Sequence, residues 1–126
     1  MASNSKFDID GFDVDVSNKC TADGGFYGAS YGRTRTVTDG SVTLDGDEKV
    51  VDIQAATVAT IVTIPDGVDG QELFVIAGSA AAGAGVAGSF VVGYTTITLT
   101  ANEYCHLVWI STKELWLTVT TTGTEA

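Results

Sequence analysis

The sequence predicts an all-β domain, an antiparallel β-sandwich or a jelly-roll or barrel-like relative of it, with an extended N-terminal arm. Three observations predict it. From residue 33 onward, short apolar runs of about five residues recur every 8–12 residues, the spacing of sandwiches and barrels. Asp39-Gly40, Asp45-Gly46, Asp66-Gly67 and Asp69-Gly70 separate several of them, and Asp-Gly is the pair that accepts positive φ at low cost. Helical periodicity is absent; Ala55-Ala56-Thr57-Val58-Ala59 is the one place where a short helix can intrude.

The N-terminal stretch opens with Phe7-Asp8-Ile9-Asp10-Gly11-Phe12-Asp13-Val14-Asp15-Val16, where apolar and acidic residues alternate at the period of a strand. Gly11 shifts the phase, marking a bulge or bend. The following Thr21–Gly32 stretch, rich in Gly and aromatics, carries neither period and reads as an ordered loop or an extended arm. Residues 1–32 are therefore an arm, 33–122 the β domain, and 123–126 a C-terminal tail.

Within the β domain the expected strands are Arg33–Thr38, Ser41–Leu44, Val50–Gln54, Thr60–Ile64, Glu72–Ile76, Ser89–Val92, Thr95–Thr100, Tyr104–Ile110 and Glu114–Thr120. The glycine-rich Gly83–Gly88 between them reads as a flexible loop, or as a place where backbones approach closely. If Ser111-Thr112-Lys113 closes the last hairpin, Ile110 faces Glu114, Val108 faces Trp116 and Leu107 faces Leu117. One face then carries Cys105, Leu107, Trp109, Leu115, Leu117 and Val119, an uncharged core face. The other carries Tyr104, His106, Val108, Ile110, Glu114, Trp116, Thr118 and Thr120, more apolar than a solvated surface needs. A loop of two or four residues would invert the pairing parity.

The chain has 126 residues, the size of one domain, with sixteen Asp and Glu against six Lys and Arg and a formal charge of −10. That balance excludes nucleic acid, which needs a basic stripe, and an anionic membrane surface. The uncharged stretch Leu73–Ala101 is built of Gly, Ala and β-branched residues without a basic flank, so it is not a membrane span. No secretory pattern follows Met1. Cys20 and Cys105 are then expected by default as structural thiols in a reducing compartment, a disulfide between them being the alternative, and with a single His they are too few for a four-ligand zinc site unless carboxylates join them.

Each chemical motif meets a plainer reading. Cys105-His106 pairs a nucleophile with a base, but neighbours in a strand point to opposite faces. Asp8, Asp10, Asp13 and Asp15 would suit calcium, yet their spacing misses the EF-hand loop, and an acidic edge strand explains them. The Gly-x-Gly-x-x-Gly of residues 83–88 lacks the following helix that a dinucleotide site requires. Trp116, Tyr104 and Tyr94 would form a sugar-stacking platform if exposed. No cofactor is implied, and no enzyme is expected.

The segment Val50–Thr120 looks like a β-structured module of bacteriophage fibre and head-decoration proteins. The likeness rests on Thr60-Ile61-Val62-Thr63-Ile64-Pro65-Asp66-Gly67 and Gly70-Gln71-Glu72-Leu73-Phe74-Val75-Ile76. It continues through Thr95-Thr96-Ile97-Thr98-Leu99-Thr100 and ends in the hairpin Leu107–Trp116. The first 40 residues do not match that module. The resemblance implies a non-enzymatic virion structural protein, a capsid decoration or head-fibre homotrimer made in the host cytoplasm and bound to the major capsid protein. The alternative is a receptor- or carbohydrate-binding module of a tail fibre. Contact residues expected for such a role are Phe7, Phe12, Phe26, Tyr27 and Tyr31 in the arm, and Tyr104, Val108, Ile110 and Trp116 on the mixed hairpin face.

Overall fold

A computed structural model describes residues 32–79 and 81–126. Among these residues ten strands follow in order: β1 (Arg33–Val37), β2 (Val42–Thr43), β3 (Glu48–Ile53), β4 (Thr60–Thr63), β5 (Glu72–Ala77), β6 (Ala84–Ala87), β7 (Thr96–Leu99), β8 (Tyr104–Ile110), β9 (Leu115–Thr121) and β10 (Thr124–Glu125). They form two five-stranded sheets, β1-β3-β5-β8-β9 and β10-β7-β6-β4-β2, packed face to face. The all-β sandwich expected from the turn spacing is the fold.

The strand directions differ from the antiparallel expectation. β1, β3 and β5 run parallel in the first sheet, and β2, β4 and β6 run parallel in the second. Consecutive strands therefore alternate between the sheets, winding three flattened coils. The Asp-Gly turns lie where the sequence puts them, but those that link consecutive strands carry the chain across the core instead of folding it back along one sheet. Gly46, at φ +101, turns the chain from β2 into β3. Gly70, at φ +77, does so ahead of β5. After β6 the pairing becomes antiparallel: β7 joins β6, β8 joins β5, and β9 joins β8.

Three expectations change in detail. Gly83–Gly88 contains β6, which fills the middle of the second sheet, while the run Ser89–Val92 holds only a bridge from Phe90 to Trp116 and the start of a 3₁₀ turn at Val91–Gly93. Residues 123–126 are not a tail, because β10 pairs with β7 and Ala126 exchanges backbone hydrogen bonds with Thr96. Ala55–Ala59 is not helical.

Alternation along each strand builds the core. From the first sheet come Val51, Ile53, Leu73, Val75, Cys105, Leu107, Trp109 and Trp116; from the second, Val62, Ile64, Val86, Ile97 and Leu99, with Phe90 from the connection. Removing these side chains from water is the main favourable term holding the two layers together.

Candidate functional site

The outer face of the first sheet is the candidate functional surface among the described residues. Strand alternation turns one set of side chains to the core, so the complementary set must face outward. On β5 that outward set is Glu72, Phe74 and Ile76, and on β8 it is Tyr104, His106, Val108 and Ile110. Cross-strand pairs align Val50 with Phe74 and His106, Asp52 with Ile76 and Tyr104, and Glu72 with Val108 and Leu117. Phe74 is 37% exposed, Ile76 41%, Tyr104 41%, Leu117 40% and Val119 52%, so an apolar surface faces solvent where an antiparallel sandwich ordinarily carries polar residues.

The polar groups on this face are held among themselves. The rings of Phe74 and His106 stack at 4.1 Å and 9°. His106 Nε2 lies 3.2 Å from Glu72 Oε1, and Lys49 Nζ lies 3.6 Å from Glu72 Oε2. Stacking on Phe74 and pairing with Glu72 hold the imidazole in place on this face.

Tyr104, Val108 and Ile110 sit on this face as the sequence suggests, with Val108 and Ile110 half-buried. Trp116 does not. It is 2% exposed and donates its indole N–H to the Pro65 carbonyl at 3.0 Å. The hairpin loop has four residues, Ser111–Glu114, with Glu114 at φ +52, so Ile110 pairs with Leu115 and Trp109 with Trp116. This inverts the parity of β9: Trp116 turns inward, Leu117 outward. A register shift between His106 and Leu107 leaves Val119 as the extra residue opposite β8, and it too is exposed. Phe74 and Ile76 are absent from the expected contact residues. Their signal was the unbroken apolar run Leu73–Ala77, too apolar for a strand with only one buried face.

Phe7, Phe12, Phe26, Tyr27 and Tyr31 lie outside the described residues, as do Cys20 and the aspartates at 8, 10, 13 and 15. Among the described residues, Asp45, Asp47 and Glu48 place carboxylate oxygens within 4.8 Å of one another. These oxygens already have cationic partners. Arg33 bonds Asp45 at 2.7 Å and Asp47 at 2.9 Å, and Arg35 bonds Glu48 at 3.1 Å. The buried Glu48 carboxylate also accepts from the backbone N–H of Asp45 and Gly46. Burial pushes this carboxyl up, but the amides and Arg35 more than reverse it, and its pKa falls to about 2. The arrangement ties the turn before β3 to β1.

Beside it an open polar groove of about 440 Å³ is lined by residues that include Asp47, Lys49, Asp66, Asp69 and Gln71. Among the described residues that line it there is no Ser, Thr, Cys or His. Cys105 and His106 point to opposite faces of β8, and burial pushes the Cys105 thiol up to about 12. That thiol is a core side chain, not a nucleophile.

No protein-family model and no curated protein matches the chain. Five chains of solved structures do. One, in a structure of a chaperone-substrate complex, superimposes with a TM-score of 0.51 at 15% identity over 73% of this chain. The matched region spans 19% of that chain's length, and the likeness is one of β fold alone.

Proposed function

We propose that this protein is a non-enzymatic bacteriophage virion structural protein, a capsid decoration or head-fibre protein that binds the major capsid protein at the capsid surface. The reading is carried by the apolar outer face centred on Phe74, Ile76, Tyr104 and Leu117. Several large apolar side chains exposed together on one face of a small acidic domain are costly unless another protein covers them. The resemblance of Val50–Thr120 to phage fibre and decoration modules supports the same reading, and the protein acts by docking, with no bond made or broken.

Size argues for several copies acting together. Five strands about 4.8 Å apart and some 18 Å long present roughly 400 Å². A stable contact needs about 800 Å² from each partner. One face alone therefore binds weakly. A homotrimer engages three faces at once and raises the effective affinity without new chemistry. The rival reading of a sugar-binding tip loses its aromatic platform, since Trp116 is in the core.

The test is to mix purified protein with expanded, undecorated capsids. Saturation at a fixed number of copies per capsomer supports the reading, and absence of binding at any concentration removes it.

A further inference from the structure

We propose that the edge of β1 left unpaired among the described residues is an acceptor site for a strand formed by Phe12–Val16 of the same chain. Among the described residues, β1 is an edge strand: β3 flanks it on one side and no described strand on the other. Arg33 donates its N–H to Asp47 and Val37 accepts from Gln54, so both turn their backbone groups toward β3. By strand alternation, Thr34 and Thr36 aim theirs the opposite way. Charge is a common guard of such an edge. Here both cations of β1 are instead held by the acidic turn, Arg33 on Asp45 and Asp47 and Arg35 on Glu48.

The winding of the chain identifies the occupant. Parallel neighbours in this sheet recur every 15 to 24 residues, from Arg33 to Glu48 and from Glu48 to Glu72. Phe12 precedes Arg33 by 21 residues, within that interval. Phe12-Asp13-Val14-Asp15-Val16 alternates at strand period, and it lies outside the described residues. A parallel neighbour needs a crossover of about a dozen residues or more. Sixteen residues separate Val16 from Arg33, and a flexible chain of that length spans roughly 22 Å, ample for a neighbouring strand. The segment would add one more coil to the winding that β1–β6 already follow.

Amide hydrogen exchange on the full chain tests this. The Thr34 and Thr36 amides are expected to exchange slowly, and Val14→Pro, which breaks strand pairing, to speed them roughly tenfold or more while the Val51 and Val75 amides stay protected. Should Val14→Pro unfold the chain, nuclear Overhauser contacts between residues 12–16 and Thr34 or Thr36 in the unsubstituted protein decide, their presence supporting the site and their absence overturning it. Fast exchange at Thr34 and Thr36 in the unsubstituted protein overturns it, as does slow exchange unchanged by Val14→Pro in a folded chain. Contacts seen only between differently labelled chains make the occupant a second copy and overturn the proposal as well.

Discussion

Trp109 and Trp116 stand directly opposite each other across the last hairpin, their rings meeting edge to face at 5.4 Å and 70°. Both are buried, so this pair closes the end of the core under the connection from β4 to β5, where the Trp116 indole N–H reaches the Pro65 carbonyl. Trp116→Ala is expected to lower unfolding free energy by about 3–5 kcal/mol, the range for deleting a large buried aromatic. Trp116→Phe keeps most of the ring but loses the hydrogen bond and should cost about 1–2 kcal/mol. Urea titration of the two variants checks both values.

Stability in acid should depend on Glu48. Its folded-state pKa of about 2 lies below the ordinary 4.5, so the native state binds this proton less readily than the unfolded chain. The stabilisation is complete above pH 4.5 and disappears as pH falls through the window down to about 2. It amounts to about 3 kcal/mol at neutral pH. Glu48→Gln should therefore be clearly less stable than the parent at pH 7 and nearly equal to it at pH 2. Denaturation curves at both pH values read the difference; a gap independent of pH contradicts the assignment.

The hairpin shows where sequence reasoning stops. Strand positions followed from turn pairs and apolar runs, because Asp-Gly pairs fix where the chain turns. They do not fix which layer receives the next strand, so the parallel winding was not legible. Face assignment on β9 hung on loop length, and one residue more in Ser111–Glu114 exchanged Trp116 for Leu117 at the surface. β6 was hidden for another reason. Ala and Gly are weak strand formers, and Ala84–Ala87 is a strand because β4 and β7 pair with it on both sides. At Gly85 a side chain would meet Ile61 Cδ1 at 2.9 Å, so the exposed end of Ile61 would have to move aside for a larger residue.

Glu114 carries the strain of that loop. It sits at φ +52 without being glycine, a conformation that costs L-residues about 1 kcal/mol. Asn tolerates the left-handed region better, so Glu114→Asn should raise stability by up to about 1 kcal/mol. A matching rise in urea midpoint with unchanged slope is the expected result.

Cys105 should react only through unfolding. It is fully buried, and its thiol pKa of about 12 leaves almost no thiolate at neutral pH. Iodoacetamide labelling followed by peptide mass analysis should modify the Cys105 peptide no faster than the global unfolding rate. Rapid labelling in the folded protein would contradict this placement.

The outer face separates folding from docking. Leu117 is 40% exposed and lies on β9 with its side chain away from the core, so Leu117→Lys should change stability by no more than about 0.5 kcal/mol. A charge there, across from Val108 and Glu72, must be desolvated by any partner that covers the face. Capsid binding should accordingly fall at least tenfold, a loss of about 1.4 kcal/mol per contact. Val68→Lys serves as the control, since Val68 is 70% exposed in the loop before β5 and off this face. Equal binding by both variants would move the contact away from the sheet, whereas selective loss with Leu117→Lys ties docking to the surface shared by Phe74, Ile76 and Tyr104.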